Sequence, residues 1–236
     1  MLTYKDLGSG TPIVLLHGLG STKEAWVSQH ELANKYRLII PDLRGHGETV
    51  INENFTIKNF ALDIIELIEH LNIPSAFICG FSFGGIVAQE LYKQRPDLVK
   101  GLILSNTTSY IPPFFASNMI NMSQQDLIEH ILSTGLYDES YKEEARKTFH
   151  IRDTYMQSMK ASIGVNYFSV LTTIKKPVLL IGSTHDKVTP SLNLYLMKTF
   201  IRRAQIAILK DTGHLSNIEK RDLFNQHIKD FIATIA

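Results

Sequence analysis

Six short apolar runs, set apart by longer segments with helical spacing, restrict this 236-residue chain to a small set of folds. They occupy residues 13–16, 38–40, 76–79, 102–104, 178–181 and 206–209, and each is continuous and rich in Ile, Val or Leu. Strands buried on both faces read this way, and such strands are usually parallel. Parallel neighbours need a long crossover, and helical patterns supply it. Ile57, Phe60, Ala61, Ile64, Leu67, Ile68 and Leu71 share one helical face, with Thr56 as a candidate N-cap. A second helix begins at Phe83 and stops before Arg95-Pro96. Thr189-Pro190 predicts the start of a helix ending near Phe200, and Ile218, Phe224, Ile228, Phe231 and Ile232 mark a C-terminal helix. The alternation predicts an α/β fold with a mostly parallel central sheet and helices on both faces.

Residues 107–170 break the rhythm. They contain no convincing strand, start near Pro112-Pro113 and carry short helical patterns. They read as a small helical cap inserted after the strand ending near Ser105. Residues 1–106 and 171–236 then form the core of the same domain.

Charge and cysteine content exclude several function classes. Lys plus Arg number 24 against 23 Asp plus Glu, so no basic field is available for a nucleic acid. The single Cys79 excludes an internal disulfide and any multi-Cys metal site. No His-Glu-x-x-His pattern and no dinucleotide fingerprint after the first strand occur, so neither a metal nor a cofactor is expected. No run of 18 apolar residues exists, and Met1-Leu2-Thr3-Tyr4-Lys5-Asp6 lacks a signal-peptide pattern. The expectation is a cytoplasmic protein without a membrane span, monomeric or homodimeric, acting on a small molecule.

The most informative local signal is Gly80-Phe81-Ser82-Phe83-Gly84, a G-x-S-x-G where the third run meets a helix. A serine on a sharp strand-to-helix turn has strained backbone angles, and small neighbours let the chain turn. Its hydroxyl is then exposed at the C-terminal edge of the sheet, over the positive end of a helix.

Here the chain resembles the α/β-hydrolase family over nearly its whole length. His17-Gly18-Leu19-Gly20 resembles the family's HG-x-G turn, and Pro41-Asp42-Leu43-Arg44-Gly45-His46-Gly47 its D-x-R-G-x-G loop. Gly182-Ser183-Thr184-His185-Asp186 stands where the family carries its acid, and Asp211-Thr212-Gly213-His214 where it carries its histidine. The 107–170 insertion falls in the place of the variable cap. A serine in the elbow argues against the dehalogenases and epoxide hydrolases, which use aspartate there. Trp26, Gln29, Leu32 and the run Asp42 to Gly47 resemble the serine esterase and lactonase branch, which includes carboxylesterases and 3-oxoadipate enol-lactonases.

The chemistry of a triad singles out the same residues. A serine hydroxyl needs a base within hydrogen-bond reach. Of nine histidines, His214 lies on a Gly-containing loop past a strand end, on the edge shared with Ser82. Asp186, past the neighbouring strand, can bond the far imidazole nitrogen and fix its tautomer. Asp211 is the competing acid, disfavoured by its closeness in sequence to His214. The candidate oxyanion donors are the backbone N–H of Phe83, from the motif rule, and of Leu19, by resemblance.

Other residues admit two readings. His17 and His46 resemble braces of the site rather than proton carriers. Cys79 reads as core. Trp26 either touches substrate or packs. Met119, Met122, Met156, Met159, Phe114, Phe115, Tyr155, Tyr167 and Phe168 either line a pocket or seat the cap. Asn106 and Thr107 face the site or form a turn. The expected function is a serine hydrolase that cleaves a small to medium carboxylic ester or lactone through an acyl-enzyme on Ser82. The alternatives are a C–C bond hydrolase or lyase on a β-diketone-like acid, or a hydrolase-fold ligand receptor with slow turnover.

Overall fold

The computed structural model describes residues 1–113 and 122–235. Phe114, Phe115 and Met119, weighed above as pocket residues, lie outside the described residues. Among the described residues seven strands form one sheet: β1 (Tyr4–Leu7), β2 (Thr11–Leu16), β3 (Tyr36–Pro41), β4 (Ala76–Phe81), β5 (Val99–Ser105), β6 (Val178–Ser183) and β7 (Ala204–Leu209). Their order is β1-β3-β2-β4-β5-β6-β7. The edge strand β1 runs antiparallel to β3, and every other pairing is parallel. The α/β-hydrolase fold expected from the motifs is therefore present.

The continuous apolar runs are explained by burial on two faces. Val14, Ile39 and Ile78 point to one side, while Ile13, Leu15, Leu38, Ile40, Phe77 and Cys79 point to the other. Side chains alternate along a strand, so both sets must be apolar when both faces are covered. The first face carries α1 (Ile57–His70), α2 (Phe83–Gln94), α6 (Phe168–Thr173) and α7 (Leu192–Phe200). The second carries a run of 3-10 turns over Lys23–Asn34, the short α8 (Ser216–Glu219) and α9 (Arg221–Ala233). Thr56 caps α1 by accepting from Asn59 N at 3.1 Å.

Between β5 and β6 lie α3 (Gln124–Gly135), α4 (Lys142–Arg146), α5 (Tyr155–Ser162) and α6. Leu127, Ile151, Tyr155 and Met159 form a separate cluster, against which Leu19 packs. Tyr167, Val170 and Leu171 belong instead to the main core, so a boundary drawn at 170 falls inside α6. Met122 is exposed.

One expectation needs correction. The helix ending at Phe200 begins at Leu192, not at Pro190, and Thr189 does not cap it. The Thr189 side chain is committed to a carboxylate three residues back. Of the two readings of Trp26, packing holds: it is fully buried, edge-on to Phe81 at 6.5 Å between ring centroids and 6.2 Å from Phe224.

Candidate active site

The six parallel strands, β2 to β7, bring six loops to one sheet edge. β2 lies between β3 and β4, so the chain leaves it in both directions across the sheet. A crevice opens at the carboxyl ends of strands at such a switch point. The turn after β2 and Ser82 after β4 meet there. A Cβ placed on Gly18 would stand 3.5 Å from Ser82 Cβ.

Ser82 has φ 53° and ψ −115°, left-handed backbone that costs a non-glycine residue about 1–3 kcal/mol. Its surroundings over-determine that geometry. Ser82 N donates to Ser105 O at 2.9 Å, while Ser82 O accepts from Gly85 N at 2.9 Å and from Thr107 Oγ1 at 2.6 Å. The flanking glycines are needed for close approach. A Cβ on Gly80 would meet Gly84 O, and one on Gly84 would meet Leu16 O.

The structure brings Ser82, His214 and Asp186 together. Ser82 Oγ lies 3.0 Å from His214 Nε2, and His214 Nδ1 lies 2.9 Å from Asp186 Oδ2. A carboxylate only accepts, so the imidazole proton sits on Nδ1 and Nε2 is free to accept from the serine. Asp211 does not compete: it is exposed, and its carboxylate lies 3.9 Å from His185 Nε2 rather than on His214.

Asp186 is 6% exposed yet fully partnered. Oδ1 accepts from Val188 N at 2.9 Å and Thr189 N at 2.8 Å. Oδ2 accepts from His214 Nδ1, from Asn106 Nδ2 at 2.9 Å and from Thr189 Oγ1 at 2.8 Å. Burial alone would push this carboxyl up, but the His214 charge and these hydrogen bonds outweigh it and bring it to about 2. Asn106, at the end of β5 with φ 45°, both turns the chain and faces the site. Its Oδ1 accepts from Ser105 Oγ and Ser216 Oγ, and hydroxyls donating there fix which side of the amide meets Asp186. From the sequence Thr189 was read only as a helix start, and Ser216 was not singled out. The Asp-x-x-Thr spacing was the available signal for Thr189, because a side chain that caps its own following turn places that turn's hydroxyl beside it.

Among the described residues, neither Leu19 N–H nor Phe83 N–H has a backbone acceptor outside regular structure. Phe83 is the first residue of α2, where N–H groups have no partner within the helix. The Leu19 side chain packs against the Leu127, Ile151, Tyr155 and Met159 cluster, and a Cβ on Gly20 would collide with Ile151.

His17 and His46 brace the crevice. His17 Nε2 accepts from Leu43 N at 3.0 Å, while its Nδ1 lies 2.8 Å from Gly18 O. Asp42 ties the same loop down, accepting from Lys23 N, Lys23 Nζ and Glu48 N. Burial lowers His17 from 6.5 to about 4, partly offset by its bond to Gly18, and lowers His46 to about 3. Both are therefore folded as neutral rings. Below pH 6.5 the unfolded chain binds the protons that the native state refuses, so stability is full above that pH and falls on acidification. For His17 the loss amounts to about 3 kcal/mol on reaching its folded value. Urea unfolding should show the decline starting between about pH 6.5 and 5.5, before carboxylates titrate. A stability flat down to about pH 5 would contradict the neutral-histidine brace.

Cys79 is fully buried in β4, and burial raises its thiol, so it stays protonated. No described helix is long and apolar enough to cross a membrane.

Comparison with known proteins agrees with this geometry. Residues 13–227 match the model of the alpha/beta hydrolase family. The chain is similar to 3-oxoadipate enol-lactonase 1 of Acinetobacter baylyi, 27% identical, with 94% of this chain and 89% of the relative covered. It is similar to a putative non-heme bromoperoxidase of Mycobacterium tuberculosis, 28% identical, covering 99% and 98%. Among solved structures, a thermophilic esterase from Thermogutta terrifontis superposes with a TM-score of 0.88 at 25% identity, covering 99% of this chain and 93% of that one. With the sheet order, the serine elbow and the family match in agreement, the chain belongs to the alpha/beta hydrolase family.

Proposed function

We propose that this chain is a serine hydrolase that cleaves a small to medium carboxylic ester or lactone through an acyl-enzyme on Ser82. The observation that carries the reading is the unbroken relay from Ser82 Oγ through His214 to Asp186, at 3.0 Å and 2.9 Å. The similarity to an enol-lactonase and an esterase supports the substrate class.

His214 Nε2 takes the hydroxyl proton as Ser82 Oγ attacks the carbonyl carbon. The carbonyl oxygen gains the charge and sits on the Leu19 and Phe83 N–H groups, at the positive end of α2. His214, now an imidazolium stabilised by Asp186, gives its proton to the leaving alcohol oxygen. Water, deprotonated by the same nitrogen, attacks the acyl carbon, and Ser82 leaves with the proton restored. In a lactone the leaving oxygen stays tethered, and the product is one hydroxy acid or its keto tautomer. In this reading the segment inserted between β5 and β6 forms the lid of a single domain, with Tyr167 and Val170 seating it in the core built from 1–106 and 171–236. Leu19 links that lid to the oxyanion donors.

A substrate series tests the reading: p-nitrophenyl esters of rising acyl length, an enol-lactone and a meta-cleavage product of the C–C hydrolases. The expected result is turnover of an ester or the lactone with the C–C substrate left intact. Cleavage of the C–C substrate alone would replace this reading with the β-diketone one.

A further inference from the structure

The loop that carries His214 is joined to the exit of α3, backbone to backbone. On the core side, its last ties to β6 and the turn after it are His185 N to Thr212 O and Asp211 N to Thr184 Oγ1, both at 3.0 Å. Beyond Thr212 the His214 and Ser216 side chains still bond the core, at Asp186 and Asn106, but the main-chain N–H groups of His214 and Leu215 turn to the exit of α3. His214 N and Leu215 N both donate to Gly135 O. Gly213 approaches so closely that a Cβ there would collide with Gly135 O and stand 2.7 Å from Tyr137 N.

Glu219 closes this join. Its Oε1 accepts from Gly213 N at 2.9 Å, and its Oε2 accepts from Tyr137 N at 3.0 Å and Asp138 N at 2.9 Å. It is 4% exposed and stands outside the Ser82–His214–Asp186 relay. Burial pushes its carboxyl up, and the three N–H bonds offset only part of that. A buried carboxylate without a cation is costly, and here its two oxygens serve two chain segments that share no strand pairing.

We infer that Glu219 is a positioning residue for His214: it locks the histidine loop to residues 135–138, so that the cap holds the base at its bonding distance from Ser82. The inference rests on the base role proposed for His214. Alignment at this level is sensitive, since a displacement of about 1 Å can cost about a hundredfold in rate.

Glu219→Gln tests it. The variant keeps the length and one acceptor, but turns an amino group toward N–H donors. The expected kcat is about 10–100-fold lower with KM within about twofold. Phosphonylation of Ser82 by a fluorophosphonate should slow by the same factor. The low-field proton resonance of His214 Nδ1 should shift or broaden. Gly213→Ala wedges the same join from another side chain and should give the same pattern. Rates are taken well below each variant's Tm and per folded site, counted by the acylation burst. A Glu219→Gln protein with a lower Tm but wild-type kcat and an unchanged low-field resonance would show a structural role only. Wild-type protein that resists the fluorophosphonate overturns the hydrolase reading, and this inference with it. Wild-type labelling at a rate that Glu219→Gln leaves unchanged overturns the inference alone.

Discussion

Ser82→Ala is expected to reduce kcat on an ester by about 10⁶-fold, with the fold intact. The size follows from the arrangement. The hydroxyl is the atom that bonds the carbonyl, and no other described nucleophile lies on His214 Nε2. The proposed oxyanion donors are backbone groups and survive the change, so a residual rate of about 10³–10⁴ over water should remain. The methyl group replaces the hydroxyl without altering the bonds from Ser82 N to Ser105 O or from Thr107 Oγ1 to Ser82 O. Circular dichroism and Tm should therefore match the wild type. Turnover of a chromogenic ester checks the prediction, and a variant retaining more than about a hundredth of the rate would point to another nucleophile.

Asp186→Asn is expected to cost about 10⁴ in kcat. Five donors converge on the Asp186 carboxylate: the N–H groups of Val188 and Thr189, the Thr189 hydroxyl, the Asn106 amide and the imidazole. An amide offers only one oxygen to them. If that oxygen stays on Val188 and Thr189, the amino group faces His214 Nδ1 and selects the tautomer with its proton on Nε2. That tautomer cannot accept from Ser82. The wild-type carboxyl lies at about 2, so it stays ionised at every pH where an ester hydrolase is assayed. Steady-state kinetics on the same ester, with Tm as the control, measure the effect. A loss below about tenfold would assign the acid to a different residue.

Much of this was legible in the sequence, for identifiable reasons. Buried parallel strands must be apolar on both faces, which is why Ile13 to Leu16 and Val178 to Ile181 read as strands without an alternating pattern. Thr56 was readable because capping is local. The order Ser82, Asp186, His214 was readable because each follows an apolar run, and parallel strands send their ends to one edge.

What was not legible depends on distant partners. Thr189 carries a helix-start signal, but its hydroxyl and N–H go to Asp186, so the helix begins later, at Leu192. Asn106 presented a choice between facing the site and turning the chain; left-handed backbone at a strand end lets it do both. Glu219 gave no signal, since two of its three donors lie about eighty residues away, at Tyr137 and Asp138. Trp26 sits next to the oxyanion loop in sequence, yet α9 and Phe81 bury it completely.

The central claim is that Ser82 is a nucleophile activated by His214. Reaction with a fluorophosphonate followed by intact-mass analysis and peptide mapping tests it most directly. The account predicts one phosphonate per chain, carried on Ser82, and none in Ser82→Ala or His214→Ala. A wild-type chain that takes no label, or takes it on a residue other than Ser82, would contradict it.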